Sequence, residues 1–237
     1  MVQQSPALED YGAAGVSGLT ASALLKKKIL LVSPHTHETT PSVLTHPQLK
    51  EFYPEMLFTL YSTIWATVPL LEAALTVSRE RFAGDAVAAK LIPYYQNHIA
   101  EEMHHDEWML EDMEVLGMKR SEILERLPPA GIAEAVGAQY YWIYHYHPVA
   151  FLGYLAALET DPVSADVVKK AAAESDIPPA AFRTLLIHSE HDFDHCEDLN
   201  RLIDGLPLQP QHIRLMSLSA MQIAAAYDKA FNAMLPG

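Results

Sequence analysis

Two segments of the chain repeat the same order of metal-binding side chains: histidine, carboxylate, histidine. In each segment the carboxylate lies four residues after the first histidine, and the second histidine lies seven residues after the first. On an α-helix, residues at these offsets lie within about 40° of the first histidine, so each trio lines a single stripe. Two helices with such stripes can hold one or two metal ions between them. The trios are His98, Glu102 and His105, and His188, Asp192 and His195.

A ligand from another helix is expected at Glu159, which ends the apolar run 148–158. A carboxylate at the end of such a helix face is costly to bury unless it is paired or bound to a cation. Imidazole and carboxylate ligands together suit iron, manganese or zinc. Cys196, the one cysteine in the sequence, points about 100° away from its neighbour His195 on a helix, so we interpret it as a packing residue.

The remaining histidines and acids carry weaker signals. Single histidines such as His104 are typical of surface or core-edge positions, and Glu101 belongs to a run of acids that favours a solvated helix face. The aromatic run 140–147, which includes Tyr144 and His147, has two interpretations. It forms either one wall of a substrate pocket or a core helix whose tyrosine hydroxyls reach its ends.

Composition narrows the class of protein. The chain has 237 residues, half of them hydrophobic, and only 10 glycines, which favours a single helical domain with a substantial core. A net charge of −14 argues against nucleic-acid or anionic-membrane partners, because both need clustered lysine and arginine. We find no secretory signal and expect a cytoplasmic protein.

Helical periodicity and Pro/Gly breaks predict one all-α bundle of roughly seven to nine helices. The uncharged stretch from Met56 to Leu71 is shorter than the roughly 20 residues of a membrane span, so we interpret it as a buried bundle helix. Residues 1–16 are expected to form a flexible arm before a single domain, 17–237. The predicted helices cover 19–32, 54–82 with a bend at Pro69, 85–116, 121–126, 132–146, 148–159, a short segment before 176, 180–203 and 211–234.

Three segments together resemble the heme oxygenase-like iron-containing redox enzymes. The first is His98-Ile-Ala-Glu-Glu-Met-His-His-Asp-Glu-Trp108, with Leu116-Gly117 after it. The second runs from His147-Pro148 to Glu159, and the third is the 188–195 motif followed by 203–207. The likeness covers roughly residues 55–210. It implies a heme oxygenase-like multi-helix bundle, a fold shared with thiaminase II and pyrroloquinoline quinone synthase.

The resemblance also implies a function. Diiron members of this group activate dioxygen and oxidise small organic molecules, so we expect one or two iron ions, dioxygen and a small substrate, with Tyr154 one turn before Glu159 reaching into the pocket. Relatives place a carboxylate three or seven residues before the first ligating histidine. Position 102 is Glu but position 98 is His. The implied ligands are therefore Glu102, His105, Glu159, His188, Asp192 and His195, with His98 as an extra ligand or a ligand's partner and Glu101 as the substitute carboxylate.

Three alternatives stay open at this point. A cofactorless enzyme of the thiaminase II or quinone-synthase type would use the same histidines and acids to transfer protons. Heme binding is disfavoured by the bulky 98–105 segment. A ferritin-like, non-catalytic iron binder would use Glu72 as a ligand and leave His98 and His188 without a role. The apolar terminal helices also suggest a homodimer.

Overall fold

The computed structural model describes residues 18–33, 42–159 and 163–235, apart from the side chains of 191–194. The described backbone is helical and contains no β-strand. Short 3₁₀ turns at Pro148–Ala150 and Pro179–Phe182 lead into the α-helices that begin at Phe151 and Arg183. The α-helices are α1 Ala21–Val32, α2 Leu49–Arg81, α3 Ala86–Glu102, α4 His105–Val115, α5 Arg120–Glu125, α6 Ala130–His145, α7 Phe151–Glu159, α8 Ala165–Glu174, α9 Arg183–Gly205 and α10 Pro210–Met234.

Local sequence signals set several helix ends. The Asp85 carboxylate accepts hydrogen bonds from the backbone N–H groups of Val87 and Ala88, which caps α3. After α4, Gly117 adopts φ 86°, the left-handed conformation that glycine accepts without steric cost. Gly117 follows directly after the C-cap residue of this helix, Leu116.

The long helix α2 is the central apolar element. It is the one described helix whose length and hydropathy match a membrane span, and 56% of its most apolar window is buried inside the bundle. Met56, Thr63 and Leu70 are all 1% exposed or less. The stretch from Met56 to Leu71 is therefore a core helix, as the sequence predicts. It packs on α3, α4 and α6.

The C-terminal helix α10 is held by α7, α1 and α6. Gly153 on α7 makes the closest approach: a Cβ built there would lie 2.0 Å from the backbone oxygen of Met216. Only glycine therefore allows the two backbones to meet at this crossing.

The buried side chains form two clusters. One contains Leu70 and Leu152, and the other contains Leu57 and Phe182. Their apolar burial is the main driving force that holds the helices, and hence the histidines and acids they carry, in register.

One predicted helix is wrong. The segment 85–116 is two helices, α3 and α4, because His104 adopts a left-handed conformation with φ 73° and ψ 6°. Histidine tolerates this conformation better than most residues, and the acids Asp106 and Glu107 favour a new helix N-terminus directly after it. Helical periodicity does not reveal such a break.

The other predicted helices are present, with ends that coincide with the predicted ones or are displaced by up to five residues. Ser121 lies inside α5, whose N-cap is Lys119. The predicted arm 1–16 and most of the loop 33–47 lie outside the described residues.

Candidate metal centre

The break between α3 and α4 lies in the middle of the first predicted motif. Glu102 is the last residue of α3 and His105 is the first residue of α4. Although the helix is interrupted, the two side chains meet: Glu102 Oε2 lies 3.1 Å from His105 Nδ1. The ring of His105 also stacks on Trp108, with centroids 4.4 Å apart, which fixes its plane.

His98 lies at the centre of the cluster and is 3% exposed. Its Nε2 is 3.2 Å from Glu159 Oε1 and 4.0 Å from Glu102 Oε1. Its Nδ1 is 3.4 Å from the carboxylate of Glu101, which is half exposed. The ring stacks on Tyr94 at 5.4 Å. His98 therefore joins the acids at the ends of α3 and α7.

Glu159 is a buried acid of the cluster, at 9% exposed. Its Oε2 is buried and has no hydrogen-bond partner among the described residues. The Nε2 of His98 is close enough for charge attraction to Glu159 but is not aligned for a hydrogen bond. A carboxylate oxygen left this way is costly unless a cation binds it.

Helix α9 contributes the second motif. The rings of His188 and His105 meet edge to face at 4.9 Å, and those of His195 and His98 do so at 5.6 Å. His195 Nε2 also lies 3.9 Å from Glu101 Oε2. The side chain of Asp192 lies outside the described set. Each described histidine of this motif thus faces a histidine of the first motif.

Burial and charge shift the protonation of the cluster. Burial raises the pKa of Glu159, and His98 only partly offsets this effect. Burial also opposes protonation of His98, but the carboxylates of Glu159 and Glu102 outweigh it and raise its pKa. For Glu102 burial is again opposed, here by His105 and His98, and its pKa is lowered. The raised pKa values favour the protonated forms of His98 and Glu159, and the lowered pKa of Glu102 favours its ionised form.

The side chains of the cluster have the chemistry of iron ligands, but their separations are too large to coordinate one ion as they are arranged. Imidazole and carboxylate groups are iron ligands, and the unbonded oxygen of Glu159 is a buried atom that a cation would satisfy. Among the described side chains, no group of three such residues is gathered closely enough to hold an ion as arranged. Small rotations within the cluster, together with Asp192, would have to complete the site.

A cavity of about 230 Å³ opens beside this cluster. Glu102, Glu159, His188 and His195 line it, and most of the remaining wall is apolar. The wall includes Leu155 from one buried cluster and Met109 from the other. The cavity therefore lies where the two cores meet, with the polar cluster in its wall.

The predicted pocket residues lie elsewhere. Tyr154 is fully buried, and its hydroxyl donates to the backbone oxygen of Thr63 at 3.4 Å. Tyr144 is 45% exposed. His147 accepts a hydrogen bond from the backbone N–H of Val149 and packs on Phe82. The described cavity wall contains none of the three predicted residues.

Two residues bear on the alternatives. Glu72, which a ferritin-like site requires, is exposed on α2. Cys196, which a thiaminase-like site would use as nucleophile, is absent from the described cavity wall. Burial also raises the pKa of its thiol, which lowers its fraction of reactive thiolate.

The sequence interpretation missed the residues that support the cluster and the cavity. Tyr94 and Trp108 stack on ligand-type histidines, and each lies three or four residues from its partner, a spacing that places them on one helix face. Thr63 and Thr67 line the cavity. Their hydroxyls, within the uncharged stretch from Met56 to Leu71, were the available signal.

Comparison with known proteins gives the following matches. A family model described as iron-containing redox enzyme matches residues 73–228. No curated protein matches the chain. A protein of unknown function with a heme oxygenase-like fold from Shewanella denitrificans superposes with a TM-score of 0.69 at 20% identity, covering 90% of this chain and 88% of the other. A TenA homolog from Pseudomonas syringae pv. tomato also gives 0.69, at 10% identity, covering 93% and 95%. The fold is the all-α, heme oxygenase-like bundle that the sequence predicts.

Proposed function

This chain belongs to the family of iron-containing redox enzymes, and on that premise we propose that it is a non-heme iron oxidase or oxygenase that acts with dioxygen on a small organic substrate. The observation that carries the proposal is the buried carboxylate of Glu159, whose Oε2 has no hydrogen-bond partner among the described residues. It lies beside His98 in a wall of the cavity. Such an oxygen is stabilised by a bound cation.

The proposed iron ligands come from α3, α4, α7 and α9. Iron, when bound, supplies the electrons and the coordination positions that activate dioxygen. Imidazole and carboxylate ligands in this mixture suit ferrous iron, as well as manganese and zinc. The ligands are Glu102, His105, Glu159, His188, Asp192 and His195.

The residues around these ligands hold them in orientation. The ring of Trp108 stacks on His105 and the ring of Tyr94 stacks on His98, which restricts the rotation of both imidazoles. Such supporting contacts tune metal affinity. Metal ligands bind in their deprotonated forms, and the pKa values of Glu159 and its neighbour His98 are raised, so metal uptake is expected to release protons.

His98 makes the proposed site less negative than one with a carboxylate at position 98. It adds an imidazole within 4.0 Å of both Glu102 and Glu159. A neutral ligand offsets less of the charge of a second divalent ion. We therefore propose that one ion is held firmly and a second weakly, which gives between one and two irons per chain.

The apolar cavity completes the proposed mechanism. Leu155, Ile64 and Met109 contribute an apolar wall beside the ligand cluster, which disfavours water there. Water exclusion protects reactive species from side reactions and strengthens the electrostatic interactions within the site. The cavity is the place where an organic substrate meets dioxygen.

Anaerobic titration of metal-depleted protein with ferrous iron, followed by elemental analysis and oxygen-electrode measurements, tests the proposal. We expect iron to be retained after desalting and oxygen to be consumed on exposure to air. Glu159→Ala should lose most of the iron, whereas Glu72→Ala, which changes an exposed glutamate outside the cluster, should retain it. Equal iron content in the two variants, or no iron in the unaltered protein, would exclude the proposed centre.

A further inference from the structure

The cavity wall is acidic away from the metal cluster as well as within it. Besides Glu102 and Glu159, it contains Asp228, and its described lining includes no lysine or arginine. Asp228 belongs to α10 and takes no part in the proposed iron site. A ligand of this cavity therefore meets a carboxylate for which the described wall supplies no cation.

Asp228 lies on the face of α10 that the cavity exposes. The cavity-lining residues of this helix are separated by three or four positions, so they form one stripe. Asp228 is half-buried among these neighbours and lines the cavity, so its carboxylate keeps accessible surface for a charged group of a ligand. The stripe consists of Ile223, Ala224, Tyr227, Asp228 and Phe231.

The contacts of Asp228 leave it able to bind a further donor. Ser33 Oγ donates to its Oδ1 at 3.3 Å, and Asn232 Nδ2 donates to its Oδ2 at 3.1 Å. An ionised carboxylate accepts up to about four hydrogen bonds. Within the described ranges, no lysine or arginine forms an ion pair with it. The two neutral donors orient the carboxylate without neutralising it.

Two aromatic rings flank this carboxylate along the same stripe. Tyr227 precedes it and Phe231 follows one turn later, with their rings stacked at a centroid distance of 5.6 Å. The faces of aromatic rings attract ammonium groups. Acid and aromatic side chains on one wall together favour a cationic nitrogen over an anion.

The rest of the wall suits a hydrocarbon chain. The lining residues of α2 lie four, seven, eight and eleven positions after Met56, which places them on one face that extends for about 16 Å. That face is apolar except for two threonine hydroxyls. It consists of Met56, Leu60, Thr63, Ile64 and Thr67.

We infer that the cavity binds an aliphatic amine, with its ammonium group at the carboxylate of Asp228 and its alkyl chain along the apolar face of α2. In describing this amine as the substrate we rely on the proposed oxidative function, but its binding does not require iron. A fatty acid of the same length would place a carboxylate among acids, and an alcohol would leave Asp228 without a charged partner. Both are therefore expected to bind more weakly.

Binding of decylamine, decanoate and decanol to the full-length chain tests the inference. Affinities are measured by isothermal titration calorimetry, below the micelle-forming concentration of each probe, on iron-loaded protein under nitrogen and on metal-depleted protein. We expect decylamine to bind metal-depleted protein at least about tenfold more tightly than the other two probes, as one charge-assisted hydrogen bond provides. Asp228→Asn should remove this preference.

Asp166→Asn is the matched control. It also removes one negative charge, but from the exposed first turn of α8, so it should leave the preference for decylamine unchanged. Equal affinity for the three probes, tighter binding of decanoate to metal-depleted protein, no binding at all, or a preference that survives Asp228→Asn would each overturn the inference. Amine binding without iron retention would exclude the proposed function alone, and iron retention without amine preference would exclude the inference alone.

Discussion

Replacement of Glu159 by methionine separates the cost of a buried carboxylate from its contribution to metal binding. The side chain is 9% exposed and its Oε2 lacks a described hydrogen-bond partner. A buried polar atom left unbonded costs about 1–3 kcal/mol. Methionine has a similar volume and no such atom, and His98 can lose its proton once the carboxylate is removed. The metal-free Glu159→Met protein should therefore be as stable as the unaltered protein, or up to about 2 kcal/mol more stable.

Ferrous iron should reverse this order. A ligand present at one hundred times its dissociation constant stabilises the folded state by about 2.7 kcal/mol. The unaltered protein should gain this increment and the Glu159→Met variant should lose most of it. Urea denaturation under nitrogen, with and without ferrous iron, measures both free energies of unfolding.

Glu55→Met is the matched control, because Glu55 is an exposed acid that forms a surface ion pair with Arg126. Its loss should change stability by less than about 1 kcal/mol and leave the iron increment intact. The reasoning fails if Glu159→Met loses several kcal/mol without metal and keeps the iron increment. Glu159 would then be a structural partner of His98 rather than a metal ligand.

Three further predictions concern the fold around the site. Gly153→Ala should lower the free energy of unfolding, measured in urea, by about 1–3 kcal/mol, because its Cβ would lie 2.0 Å from the Met216 oxygen. In the control Gly137→Ala, the added Cβ meets nothing within 4 Å, so the free energy of unfolding should rise by up to about 1 kcal/mol. Equal effects of the two substitutions would contradict this packing. His104→Gly should raise the free energy of unfolding by roughly 1 kcal/mol, because φ 73° is strained for histidine, whereas Met103→Gly, at φ −58°, should not. Burial and the neighbouring His212 lower the pKa of His147 to about 4, despite Asp85. Because the unfolded state binds this proton more readily, the free energy of unfolding should be highest above about pH 6.5. It should fall by at most about 1.4 kcal/mol per pH unit down to about pH 4. His147→Asn, which retains a capping side chain, should flatten the pH dependence measured by thermal unfolding, and an unchanged slope would assign it to other groups.

The sequence predicts the helices well where periodicity and capping residues agree. Leu49–Arg81 is long and apolar enough to be recognised as a core helix. Gly117 marks the end of a different helix, α4, because it adopts a left-handed conformation that favours glycine. His104 adopts the same conformation without being glycine, so the break before His105 was not predictable. Helices α3 and α4 each pack on α2, and a single-sequence pattern does not contain such tertiary contacts.

The cluster of candidate ligands was predicted for a reason that proved incomplete. A continuous helix was expected to align His98, Glu102 and His105, but only His98 and Glu102 share α3. Glu102 and His105 still lie close together, because a new helix begins at His105 directly after the break. The pocket residues were predicted poorly: aromatic density drew attention to Tyr144, which is exposed. The wall is instead formed by side chains that converge from helices distant in sequence.

The helix break explains how one cavity can be both apolar and rich in acids. On an unbroken helix, residues 102 and 105 would be about 60° apart, and the residues that follow would continue the same stripe along the cavity. The break ends α3 at Glu102, so α4 can turn Met109 toward the cavity wall while Asp106 and Glu107 remain in its first turn. The candidate metal ligands thereby come from the end of α3, the start of α4, the end of α7 and α9. Replacing Met103 and His104 with two alanines should favour a continuous helix through this segment. Glu102 Oε2 and His105 Nδ1, which are 3.1 Å apart, should then move apart. Ferrous iron binding should weaken even though every proposed ligand is still present.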